Sequence, residues 1–195
     1  MGRPRSFDAE EVLAGAVAMF RERGYEGTSV PELTAQLGIC RQSLYKTFGD
    51  KRQLYLQALE SYGRREVDGK LALLDTTGSP LENVRTLLRG FASLATMCPS
   101  EGCLTVTAMV ETRDDEEALA VVAGQVDRFE QGLAAALLRA QELGEIRPAA
   151  QPQQLARVLT TSIYGMGLLV RLPDSAGRIG AVVAHLLAML DGETA

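Results

Sequence analysis

Apolar residues recur along this chain at intervals of three and four, and no segment alternates for long enough to predict a strand. The first such run holds Leu13, Ala16, Val17 and Phe20, the i, i+3, i+4, i+7 face of an amphipathic helix. Asp8, with Glu11 three residues on, gives capping-box spacing at its start, and Gly24 gives the stop. Ser29 and Glu32 repeat the start signal for a second helix carrying Val30, Leu33 and Leu37, which Gly38 breaks. A third, short helix is predicted from about Arg41 to Phe48, closed by Gly49-Asp50. Two short helices joined across a glycine, behind a longer supporting helix, predict a helix-turn-helix.

From Lys51 a long helix runs to about Leu74, and Thr76 to Ser79 form a linker before Pro80, which suits a first helical turn. The next helix must stop before Pro99, and another begins near Gly102. The most regular stretch lies between Asp114 and Gly144, where Leu119, Val122, Val126, Phe129, Leu133, Leu137 and Ala140 share a face. After Arg147-Pro148 come two last helices, separated at Pro173. One carries Leu155, Leu159, Ser162, Met166 and Leu169; the other carries Ile179, Val182, Val183, Leu186 and Leu190. The expected fold class is all-α with about nine helices. A helix-turn-helix domain is expected over residues 1–52 and a helical bundle over 53–195.

The chain of 195 residues is long enough for a small domain beside a larger one, and its 46% hydrophobic and 23% charged residues are ordinary for a globular protein. No apolar run approaches the roughly 18 residues that a membrane-spanning helix needs. The charged N-terminus has no apolar segment of the signal-peptide kind, and the three cysteines, Cys40, Cys98 and Cys103, suit a reducing compartment. A cytoplasmic protein is expected. Its net charge of −5 argues at first against nucleic acid. The distribution changes that picture: residues 1–52 hold eight Lys/Arg against seven Asp/Glu, and the rest hold twelve against eighteen. A near-neutral head binds DNA if its cations share one face.

The segment from Phe7 to Tyr62 resembles the TetR family of bacterial regulators. The likeness stands on Phe7-Asp8, Ala16 and Phe20, Gly24-Tyr25, Thr28-Ser29-Val30, Leu37-Gly38-Ile39, and the run from Ser43 to Lys51, all at fixed spacing without a gap. The rest of the chain fits the family in architecture, with Gly102-Cys103-Leu104 similar to one subgroup. The resemblance implies that the third helix enters the major groove, with Arg41, Gln42 and Ser43 in the turn that meets base edges. Arg and Gln make bidentate contacts to guanine and adenine. Tyr45, Lys46 and Lys51 fall where the family contacts phosphates, and Thr28 precedes the second helix, whose free N–H groups favour an anion. Arg3 and Arg5 form an arm suited to an adjacent minor groove. One position departs from the family: Cys40 takes the N-cap of the recognition helix, where Ser or Thr is more usual, and a thiol accepts hydrogen bonds weakly.

What the resemblance further implies is a homodimeric repressor that binds a palindromic double-stranded operator and is released by a small apolar effector. The last two helices would pair across a two-fold axis, through Leu155, Leu159, Met166, Val182, Val183 and Leu186. Candidate ligand-lining residues are Phe91, Leu94, Met97 and Met109, with Phe129, Leu133 and Tyr164; each is equally readable as plain core. Cys103 reads either as a small buried apolar residue or as a thiol at a helix N-terminus. The same DNA-binding role with an oxidant or electrophile acting on Cys103 or Cys40 is an alternative signal. A helical enzyme is the alternative from another class, but no nucleophile, base and orienting group converge, so no catalytic residue is assigned. No metal site and no cofactor are expected. The run Asp114-Asp115-Glu116-Glu117 reads as a solvated first turn that suits the helix dipole, and the lone His185 reads as a polar neighbour of the dimer interface.

Overall fold

The computed structural model describes residues 7–97 and 102–194, with the side chains of 94–97 outside that set. Arg3, Arg5, Leu94, Met97 and Cys98 therefore lie outside the described side chains. The described residues form nine helices: α1 (Ala9–Arg23), α2 (Val30–Leu37), α3 (Arg41–Phe48), α4 (Lys51–Leu74), α5 (Pro80–Met97), α6 (Leu104–Glu111), α7 (Glu116–Glu142), α8 (Pro152–Leu169) and α9 (Ser175–Asp191). The helix ends follow from local chemistry. Ser29 and Glu32 close a full capping box on α2, and Gly38 ends it in the left-handed region at φ 64°. Asp8 caps α1, but it accepts from the backbone N–H of Glu10 at 2.8 Å, and Glu11 makes no reciprocal bond of the expected box.

Two compact units emerge: residues 1–64 with 103–122, and residues 65–102 with 123–195. The first thus extends past the expected cut at residue 52 and recruits α6 and the start of α7. Burial explains the extension into α4, since Leu54, Tyr55, Ala58 and Leu59 are all inaccessible. Tyr55 meets the Phe20 ring edge-on at 5.0 Å and the Tyr25 ring at 4.8 Å. Around this aromatic cluster sit Val12, Ala16, Val17, Leu33, Ile39, Leu44 and Phe48.

The second unit has a mainly aliphatic core. It joins Val67 and Leu74 of α4, Val84 and Leu88 of α5, Phe129, Leu133 and Leu137 of α7, and the inner stripes of α8 and α9. Those inner stripes contain most of the residues expected at a dimer interface. Leu155, Leu159, Met166, Val183 and Leu186 are buried within their own chain, and of the six only Val182 is exposed. The reason is that both helices pack their inner stripes into the unit's common core, α8 against α9 and α9 along α5, where Arg85 Nη2 and Asp191 Oδ1 lie 2.6 Å apart. The opposite stripe stays outside, with Val158, Leu168, Leu172 and Val182 exposed. His185 is exposed as well. Phe129 and Leu133, expected beside a ligand, have no exposure and belong to the core, whereas Phe91 and Tyr164 pack against it only partly buried. Cys103 and Met109 belong to the first unit, where Cys103 is the N-cap of α6 and makes no side-chain cap bond.

Candidate nucleic-acid interface

The short helix α3 is two-sided. Leu44 and Phe48, one turn apart, are buried against the first unit's core, and Arg41, Gln42, Tyr45 and Lys46 face outward. Gly38 sets the angle between α2 and α3. Its N–H and that of Ile39 both return to the Thr34 carbonyl, a turn that needs a left-handed residue.

On the outward face Arg41 and Tyr45 hold one another. Arg41 Nε donates to the Tyr45 hydroxyl at 3.1 Å, and the guanidinium carbon lies 5.3 Å from the ring centre. This orders two long side chains before any partner arrives. Lys46 is exposed, and Lys51 Nζ sits 4.1 Å over the Tyr25 ring. Gln42 and Ser43 share the first turn with Arg41. Ser43 Oγ lies 3.2 Å from Cys40 Sγ, and Cys40 makes no bond to the helix backbone as a cap. The Ser43 contact and nearby backbone N–H groups hold the Cys40 thiol below its ordinary pKa, and the side chain is exposed.

Thr28 differs from the expectation. It is fully buried, its hydroxyl donates to the Gly24 carbonyl at 2.7 Å, and its N–H reaches the Tyr25 carbonyl at 3.3 Å. Both donors are consumed inside the α1–α2 turn, so Thr28 shapes that turn. The exposed residue at the start of α2 is Ser29.

Two contacts that bind α6 and α7 to the helix-turn-helix were not visible in the sequence pattern. Glu111, at the end of α6, accepts the Tyr25 backbone N–H at 2.6 Å, and its carboxylate fills the space a Cβ on Gly24 would need. Arg52, at the start of α4, forks onto Asp115 with Nε–Oδ2 2.7 Å and Nη2–Oδ1 2.8 Å, and also reaches Glu117 at 2.8 Å. The Asp115 Oδ1 in addition accepts the Ala118 N–H at 3.1 Å and so caps α7. The hydrogen bonds from Arg52 hold the Asp115 carboxyl down at about 2, with the α7 backbone contributing. The acidic run is thus a solvated first turn at Glu116, with Asp115 and the more exposed Glu117 both holding Arg52. Among the described residues no group of three His, Cys, Asp or Glu is placed to hold a metal ion. Among them, too, no helix is long and apolar enough to cross a membrane.

A helix-turn-helix with an outward face of hydrogen-bonding cations, followed by a helical unit, is the architecture of a DNA-binding regulator. Residues 12–58 match the family model described as "Bacterial regulatory proteins, tetR family", and residues 80–186 match that described as "Tetracyclin repressor-like, C-terminal domain". The chain is 32% identical over 194 residues to the uncharacterized HTH-type transcriptional regulator YezE of Bacillus subtilis, covering 98% of this chain and 100% of that one. It is 29% identical to the HTH-type transcriptional repressor ComR of Escherichia coli, over 96% of this chain and 91% of ComR. Among solved structures it is similar to a cysteine mutant of the TetR family regulator CifR complexed with 26-bp double-strand operator DNA. That likeness has a TM-score of 0.84 and 28% identity, and covers 96% of this chain and 98% of the other. The chain belongs to the TetR family and is a DNA-binding transcriptional regulator.

Proposed function

We propose that this regulator is a homodimeric repressor that holds a palindromic operator with one α3 in each half-site and is released when a small apolar molecule enters the second unit. The observation that carries the reading is the outward face of α3. Arg41 and Gln42 are the base readers, and Tyr45, Lys46 and Lys51 are the phosphate contacts. Repression is the role of relatives such as the transcriptional repressor ComR.

The dimer face proposed here is the outer stripe of α8 and α9, in place of the buried set expected from sequence. Val158, Thr161, Gly165 and Leu168 recur at three- and four-residue steps on α8, and all are exposed. On α9, Ala181, Val182, His185 and Ala188 are exposed in the same way. A Cβ on Gly165 would meet nothing within 4 Å, so within one chain the missing side chain leaves open space for a second helix. Two such pairs form a four-helix bundle about a two-fold axis, and that symmetry requires a palindromic site. Release requires a ligand that binds one spacing of the two recognition helices better than the other.

Operator selection from random duplex DNA, followed by footprinting and sedimentation, tests this. The expected result is a palindrome with half-sites ~10 base pairs apart, or a multiple, bound by a dimer. A monomer bound at full affinity to one half-site overturns it. A second reading of the signal, oxidation or alkylation at Cys40, is favoured by that thiol's exposure and lowered pKa beside Ser43.

A further inference from the structure

The first turn of α3 holds a side-chain pair whose geometry restricts what it can read. Arg41 is the first residue of the helix, and Tyr45 stands one turn later on the same outward face. Side chains lean toward the N-terminus of their helix, which brings the Tyr45 ring back over that first turn. There its hydroxyl accepts from Arg41 Nε at 3.1 Å, and the ring centre lies 5.3 Å from the guanidinium carbon. Tyr45 keeps 39% of its exposure, while Leu44 and Phe48 are buried and fix the rotation of α3 about its axis.

A guanidinium carries its N–H donors on a rigid planar fork. With Nε–H committed to Tyr45, the edge shared by Nε and Nη2 is no longer free as a pair. The edge that stays complete is the opposite one, between Nη1 and Nη2. It offers two parallel donors and no acceptor. In the major groove guanine sets two acceptors side by side, O6 and N7, whereas adenine sets a donor beside its acceptor, thymine a methyl group, and cytosine a donor. Guanine is the complement of the free edge. The hydroxyl that accepts from Nε still has its own proton to donate, and phosphate oxygens are the acceptors that flank a helix entering the groove. Donation to an anion makes the same oxygen a stronger acceptor, so the two bonds reinforce one another. An i, i+4 pair on a solvated helix face adds little to helix stability, and its main consequence is the orientation it imposes.

We infer that Tyr45 is a positioning residue for base readout: it fixes Arg41 with the Nη1–Nη2 edge presented to the groove, and the base read by that edge in each half-site is a guanine. Tyr45 thereby joins a phosphate contact to a base contact, and the register set on the backbone is carried to the base edge through one hydroxyl. This rests on the reading above that Arg41 meets base edges, and adds to it the identity of the base and the residue that imposes it.

The test uses the duplex that the wild-type full chain selects from random DNA, with each guanine replaced in turn by 7-deazaguanine, which exchanges the N7 acceptor for a C–H. Arg41 and Tyr45 are both exposed, so substituting them opens no cavity in the core. One guanine in each half-site should be sensitive in wild type, at a cost of ~10-fold in affinity, and insensitive in Arg41→Ala. Tyr45→Phe keeps the ring and removes the hydroxyl. There the cost of the same replacement should shrink to ~3-fold or less, beside a uniform loss from the missing phosphate contact. An undiminished cost in Tyr45→Phe would leave Tyr45 a phosphate contact alone and overturn the positioning role. If Arg41→Ala relaxes preference at a base other than guanine, the guanine assignment fails and base reading by Arg41 stands. If Arg41→Ala weakens all sequences alike, both readings fail together.

Discussion

The first unit presents cations and hydrogen-bonding groups on the exposed face of α3; the second presents Val158, Leu168 and Val182 on the exposed faces of α8 and α9. Both faces belong to amphipathic helices whose inner sides are well buried, so neither is exposed for want of core. A hydrated face of Arg, Gln and Lys costs nothing in water and meets phosphate and base edges by replacing counter-ions and water. An exposed apolar face keeps an unfavourable contact with water until a second surface covers it. The uncovered sides therefore differ in chemistry, and the two proposed partners, nucleic acid for one unit and a second copy of the chain for the other, rest on that difference.

The interiors differ in the same sense. The second unit rests on a continuous aliphatic core, from Val67 to Leu190. The first has a small aromatic cluster around Phe20 and Tyr55; directional bonds from distant segments tie both units, Tyr25 to Glu111 and Arg52 to Asp115 in the first, Arg85 to Asp191 and Arg147 to Glu193 in the second.

A charge on the apolar face should do the most damage. Leu168→Glu should give a folded monomer by sedimentation and circular dichroism, with operator affinity reduced ~100-fold or more through loss of bivalent binding. Unchanged dimerisation would show that α8 faces water in the working protein. On the opposite face, Arg41→Ala should cost ~10-fold at one or two operator positions while other positions keep their preference. Lys46→Ala should instead weaken all sequences alike and lower the salt slope by about one for each lost phosphate contact. An operator scan at two salt concentrations distinguishes the two behaviours.

A smaller effect concerns the bond that completes the first unit. The Asp115 carboxyl is held at about 2, below its ordinary 3.8, by Arg52. A depressed folded-state pKa gives stability that is complete above the ordinary value and is lost as pH falls through the folded value. The wild-type melting temperature should therefore fall more steeply than that of Asp115→Asn between pH ~4 and ~2. Parallel curves for the two proteins would remove Arg52–Asp115 from the account of that unit. The smallest effect is expected at Cys40. Cys40→Ser supplies an oxygen that caps α3, so operator affinity should be equal or slightly better, and any loss of binding after peroxide should disappear. Equal peroxide sensitivity in both proteins would end the second reading of the signal.

Much of the fold was legible because its signals are local. Ser29 and Glu32, Gly38 and Gly49 each act within a turn of their own position, and the helix boundaries fall where those residues put them. The outward face of α3 was legible for the same reason, since Leu44 and Phe48 fix its buried side and leave Arg41, Gln42 and Lys46 outside. Thr28 was not, because a residue before a helix start is free to turn either way until the turn closes on it.

The order of helices, the helix-turn-helix and the family thus follow from local residue patterns alone. The tertiary structure decided which of two apolar stripes on α8 and α9 faces its own core. Both stripes obey the same three-and-four periodicity, and only the packing of the two helices into the unit's common core distinguishes them. It also decided that Asp115 grips Arg52 across 63 residues of sequence, that Glu111 receives Tyr25 across 86, and that Lys70 stands between Phe91 and Phe129. Periodicity reports the side of a helix on which a residue lies, a property of the backbone within a few turns. The neighbour it meets there depends on how distant segments close onto one another, and no local pattern encodes that.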